Sequence, residues 1–197
     1  MAEVVFFHHA QGLTTGCRAL AGRFAAAGHS VHTPDLYEGR TFSELPAGIA
    51  YAEEVGFEEI LERGRMATEG LPAQAVYMGV SLGVLPAQLL AQTRPGARAA
   101  VLVSAAVPPT EFGGVWPAGV PLQIHMMDAD PLVADEGDLA VAEDMAATLD
   151  PAELFRYPGD GHLFVDESLT EYDAAATDLV VERVLGLLAG AAEPGRK

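Results

Sequence analysis

The chain has a single cysteine, Cys17, so no intramolecular disulfide is open to it. It carries only 11 basic residues against 28 acidic ones, a formal charge of −17. Phosphate backbones are bound by clustered Lys and Arg, so this balance excludes a nucleic-acid partner and disfavours an anionic membrane surface. No apolar run reaches the ~18 residues that a membrane-spanning helix needs. The opening residues Met1-Ala2-Glu3-Val4-Val5-Phe6-Phe7 lack the basic start and apolar stretch of a secretory signal, so a cytoplasmic location is expected. There is no internal repeat and no low-complexity linker. What remains is a chain of 197 residues, half of them hydrophobic, enough for one globular domain over residues 1–197.

Short apolar runs alternate with longer amphipathic stretches. Val4–His8, Ser30–Thr33, Ala75–Met78, Ala99–Ser104, Leu122–His125 and Glu153–Tyr157 read as strands. Thr14–Ala27, Leu82–Gln92, Leu139–Leu149 and Ser168–Leu188 read as helices, and 42–69 as helical with breaks near Pro46 and Gly56. Alternation of this kind predicts an α/β fold, a mostly parallel sheet of about six strands flanked by helices. Ligands of such sheets sit outside the carboxyl ends of the strands, so chemistry is sought just after each apolar run.

The third strand runs straight into Gly79-Val80-Ser81-Leu82-Gly83, and a helix follows at once. Strand, sharp turn and helix are the context of a nucleophilic serine, with the glycines needed where a side chain would collide with its neighbours. The bland alternative is a serine that merely caps the helix. A nucleophile needs a base, and the base an orienting acid. His162, in a Gly-rich loop after the last strand, is the candidate base; His125 lies inside a strand and reads as core. Asp130 is the candidate acid, with Asp128 its main rival and Asp160 a weaker one. The amides of Leu82 and of Ala10 or Gln11 are the candidate oxyanion donors. The adjacent His8 and His9 point to opposite faces of a strand and have no partner at ligand spacing, so neither a metal nor any other cofactor is expected. Cys17, inside a helix and without a glycine turn, reads as packing.

Together these residues resemble the dienelactone hydrolase family of α/β-hydrolases. Gly79-Val80-Ser81-Leu82-Gly83 is similar to the family's nucleophile turn, the segment from His125 to Val133 to its acid segment, with Asp130 at the acid, and Gly161-His162 to its base loop. The intervals, 49 residues from Ser81 to Asp130 and 32 more to His162, suit the pattern. The resemblance implies a single α/β-hydrolase domain that lacks the leading strands of longer hydrolases. It also marks departures. The family's namesakes have Cys where this chain has Ser81, a Glu where it has His9, and substrate-binding arginines where it has Asp166 and, one residue displaced, Arg40. The expected activity is therefore hydrolysis of a small neutral carboxylic ester or lactone through an acyl-enzyme on Ser81, with His9, Tyr37, Arg40 and Trp116 as expected substrate contacts. Phe112 and Trp116 of loop 107–119, with Tyr51 and Phe57 of segment 42–57, are expected to wall the pocket, the alternative for either set being the core. A homodimer is compatible with this reading. The alternative is a catalytically silent α/β-hydrolase fold serving as a binding module.

Overall fold

The computed structural model describes residues 1–135 and 137–191; Glu136 and residues 192–197 of the expected 1–197 domain lie outside the described residues. Among the described residues six strands form one sheet: β1 (Glu3–Phe7), β2 (Ser30–His32), β3 (Ala75–Val80), β4 (Ala99–Val103), β5 (Leu122–Met127) and β6 (Ala152–Tyr157). Their order is β2-β1-β3-β4-β5-β6, and every pair is parallel. Successive side chains in a strand point to opposite faces, and here both faces are apolar. Val4 and Phe6 pack with Leu20 and Phe24 of α1 (Thr15–Ala26) and Val180 and Val184 of α7 (Ala174–Ala191). Val5 and Phe7 pack on the opposite side. That side is covered by α2 (Leu45–Val55), α3 (Phe57–Met66), α4 (Val84–Thr93) and α6 (Asp138–Thr148).

The order reverses at β1: β2 lies on one side of it and β3 on the other. Phe7 pairs with Gly79, so the loop after β1 and the turn after β3 leave the sheet side by side. This is the crevice where doubly wound sheets bind ligands.

Two expectations need correction. The last helix begins at Ala174, not Ser168. Asp166 accepts hydrogen bonds from the Ser168 amide and hydroxyl, and Asp173 accepts one from the Ala176 amide. Local carboxylate bonds of this kind favour turns and caps over continued helix. A short helix, α5 (Pro131–Asp135), follows Asp130 directly and was not expected from the sequence.

Candidate active site

Ser81 opens a 3-10 turn, Ser81–Gly83, between β3 and α4. Its φ is 51°, a conformation that L-residues with a side chain rarely adopt. The flanking glycines are required sterically. A Cβ on Gly79 would lie 2.1 Å from the Gly83 carbonyl oxygen, and one on Gly83 would lie 2.3 Å from that of Phe7. The turn is thus packed flush against the end of β1, and the hydroxyl is thrust clear of the sheet.

Three side chains from three loops meet there. The Ser81 hydroxyl lies 2.8 Å from His162 Nε2, and His162 Nδ1 lies 2.7 Å from Asp130 Oδ2. A carboxylate can only accept, so Nδ1 carries the ring proton and Nε2 is left to accept the Ser81 O–H. Asp130 is buried, and its other oxygen accepts from the Leu132 amide at the start of α5. Asp128 is exposed and turned elsewhere, accepting from the Gly159 amide at 3.1 Å. Asp160 is exposed.

The cavity at Ser81 holds about 730 Å³. Ala10, Leu82 and His162 line it around the hydroxyl, with Ile49, Leu61 and Val141 among its apolar walls. Phe57 and Phe112 line it as expected, but Tyr51 and Trp116 do not. Glu53, Glu111 and Asp138 supply carboxylates to it, and among the described residues that line it there is no Lys or Arg. Ser104 is a lining residue that the sequence did not announce; it too has a positive φ, 61°, at the end of β4.

None of the four expected substrate contacts lines this cavity. Tyr37 is buried, and its hydroxyl donates to the Gly48 carbonyl. Arg40 lies over the Tyr51 ring, 5.1 Å from its centre. Trp116 is buried, with its indole N–H on the Val120 carbonyl. His9 is buried, with Nε2 2.7 Å from Asp166 Oδ2. Of the two candidate loop amides, that of Gln11 is directed at His9 Nδ1, 3.2 Å away, and only Ala10 borders the cavity.

The remaining histidines of the interior are structural. His8 Nδ1 donates to the His9 carbonyl and Nε2 accepts from the Leu36 amide, which fixes a neutral ring. His125 shares a 2.7 Å hydrogen bond with the Tyr157 hydroxyl in the core. Burial pushes His8 down to about 4 and His125 down to about 3. Both stay neutral in the fold while the unfolded chain takes up protons below pH 6.5, so stability is present above that pH and is lost as pH falls toward 4. Both rings act in the same direction, so together they cost on the order of a few kcal/mol by pH 4.5. Urea denaturation at pH 7, 6 and 5 checks this, and a flat midpoint across that range would contradict it.

A six-stranded parallel sheet with a serine on a strand-to-helix turn is the α/β-hydrolase architecture. The dienelactone hydrolase family model matches residues 1–191, and the chain belongs to that family of hydrolases. The fold is similar to that of a dienelactone hydrolase-like promiscuous phosphotriesterase from metagenomic libraries, with TM-score 0.75 and 20% identity over 97% of this chain and 87% of that one. It is also similar to dienelactone hydrolase from Anabaena variabilis, with TM-score 0.68 and 19% identity over 96% and 86% of the two chains. An esterase matches with TM-score 0.64 and 16% identity, over 95% and 93%. At these identities the structural likeness speaks for the fold alone. A comparison with curated proteins finds no match.

Proposed function

We propose that this chain is a serine hydrolase that cleaves a small neutral carboxylic ester or lactone through an acyl-enzyme on Ser81. The observation that carries the reading is the continuous chain of hydrogen bonds from Ser81 through His162 to Asp130, opening on an apolar cavity. His162 Nε2 takes the Ser81 proton as the oxygen attacks the carbonyl carbon, and the charge that develops on the carbonyl oxygen is met by the amides of Leu82 and Ala10. Asp130 holds the ring and stabilises its charged form. His162 then gives its proton to the leaving alcohol. Water, deprotonated by the same nitrogen, attacks the acyl carbon; the acid departs and Ser81 regains its proton.

Residues 1–197 act in this reading as one cytoplasmic domain on a small molecule, without cofactor or nucleic acid. Among the described residues no helix is long and apolar enough to cross a membrane. The deciding experiment is a fluorophosphonate label followed by peptide mapping. Ser81 should carry the phosphonate, and p-nitrophenyl esters of short acids should release nitrophenol. Absence of both in folded protein would defeat the reading.

The cavity's carboxylates set a preference. Glu53 and Glu111 are exposed, so water and salt screen them, yet no cation among the described lining residues opposes them. An ester bearing a carboxylate should show a kcat/KM about three- to tenfold below that of its neutral isostere in low salt. The gap should close as ionic strength rises. Equal rates for the two in low salt would remove charge from the account of specificity.

A further inference from the structure

Behind Ser81 lies a second buried His–Asp pair that takes no part in the Ser81–His162–Asp130 chain. His9 belongs to the loop after β1, and Asp166 follows His162 by four residues. Their 2.7 Å contact therefore ties together the two loops that flank the nucleophile. Asp166 is firmly held. Besides the His9 ring it accepts from Thr14 Oγ1 and from the Ser168 amide and hydroxyl, and Gly16 packs so close that a Cβ there would overlap Asp166 Oδ1. These donors hold its carboxyl far below the usual range despite its burial.

The other edge of the His9 ring faces its own loop. Nδ1 accepts the Gln11 N–H at 3.2 Å. Burial disfavours a charged His9, while Asp166, with Cys17 beside it, more than offsets this and raises the ring's pKa. The Gln11 N–H opposes a second proton, since an imidazolium has no lone pair at Nδ1. Those neighbours raise the ring to about 9, which favours its protonation, but the hydrogen bond accepted at Nδ1 is one that only a neutral ring can make, and the geometry places the single proton on Nε2. The His9 carbonyl in turn accepts from the Gly12 amide at 3.0 Å and from His8 Nδ1 at 2.7 Å.

Ala10 is thus clamped on both sides. The peptide before it is held through the His9 carbonyl, and the peptide after it through the Gln11 N–H. In a planar trans peptide the N–H points opposite to the C=O, so anchoring the His9 carbonyl inward aims the Ala10 N–H the other way. Gly48 closes the remaining side, since a Cβ there would lie 2.0 Å from the Ala10 oxygen. We propose that His9, held by Asp166, is a positioning residue that sets the Ala10 amide as the second oxyanion donor at Ser81. The proposal rests on the reading of Ser81 as the nucleophile.

Two substitutions separate the functions of the ring. His9→Gln keeps a donor for Asp166 and removes the acceptor for Gln11; His9→Asn keeps an acceptor near Nδ1 and gives up Asp166. For a p-nitrophenyl ester, His9→Gln should lower kcat about 30-fold with KM within about twofold, because a misplaced oxyanion donor weakens the transition state and not the ground state. The inhibition constant of an alkyl boronic acid, whose tetrahedral adduct uses the same donors, should rise in parallel. His9→Asn should retain kcat within about fivefold. Folded variants that keep wild-type kcat and boronate affinity, or that lose kcat and KM together with boronate affinity unmoved, would overturn the proposal. A crystal structure of the wild-type boronate adduct serves if the variants do not fold. The boronate oxygen should lie within hydrogen-bond distance of the Ala10 and Leu82 amides, and contact with Leu82 alone would overturn it. Wild-type protein that neither turns over ester nor labels at Ser81 would sink the hydrolase reading, and this proposal with it. Active wild type with indifferent variants would sink this proposal only.

Discussion

Ser81→Ala is expected to lower kcat for ester hydrolysis by about 10⁶-fold, to a residue of about 10³–10⁴ over water. The remainder comes from the oxyanion donors and from binding, which the substitution leaves in place. KM should barely move, since the cavity walls hold the substrate in ground state and transition state alike. Stability should move little as well. The side chain is half-buried, the strained φ of 51° belongs to the backbone and persists in alanine, and only a hydroxyl that bonds to His162 is removed. Fluorophosphonate labelling should vanish with the activity. Steady-state kinetics alongside thermal unfolding checks both halves. A folded Ser81→Ala variant within about 100-fold of wild type would mean that another group attacks the ester.

The part of this site that could be read in the sequence is the part written locally. Gly79, Ser81 and Gly83 fall within five consecutive residues, and the reason for each glycine is a backbone atom one turn or one strand away. The mostly parallel sheet of about six strands followed from alternation because both faces of the sheet are buried and the runs are apolar throughout; the spatial order of the strands did not. The substrate contacts were not legible. Tyr37, Trp116 and Arg40 sit in loops near the expected crevice, but which way a loop side chain faces depends on what packs against it, and here Gly48, Val120 and Tyr51 claim them. Likewise His9 and Asp166 each stood out as departures from the family pattern. Nothing in the sequence says that two positions 157 residues apart touch, and only the fold shows that the two departures answer each other. Within the loop after β1, Ala10 and Gln11 could not be told apart from spacing; the Gln11 amide is taken by a ring whose orientation is fixed from outside that loop.

The choice between the two aspartates after β5 leads to the second large effect. Asp130→Asn is expected to lower kcat about 10⁴-fold, while Asp128→Asn should change it less than about threefold. Both residues follow the same strand, and both are hydrogen-bonded, so their proximity to the sheet edge does not decide between them. Their partners do. Asp130 is buried and bonds to His162 Nδ1, where an amide could present its N–H₂ and force the ring proton onto Nε2, the nitrogen that must accept from Ser81. The wrong tautomer leaves the geometry intact and removes the base, which is why the loss should fall on kcat and not on KM. Asp128 is exposed and braces the turn at Gly159, a bond an asparagine oxygen can still accept. Parallel kinetics on the two variants, each with circular dichroism to confirm folding, separates the roles. Comparable losses in both, or the larger loss in Asp128→Asn, would place the orienting acid at the other position.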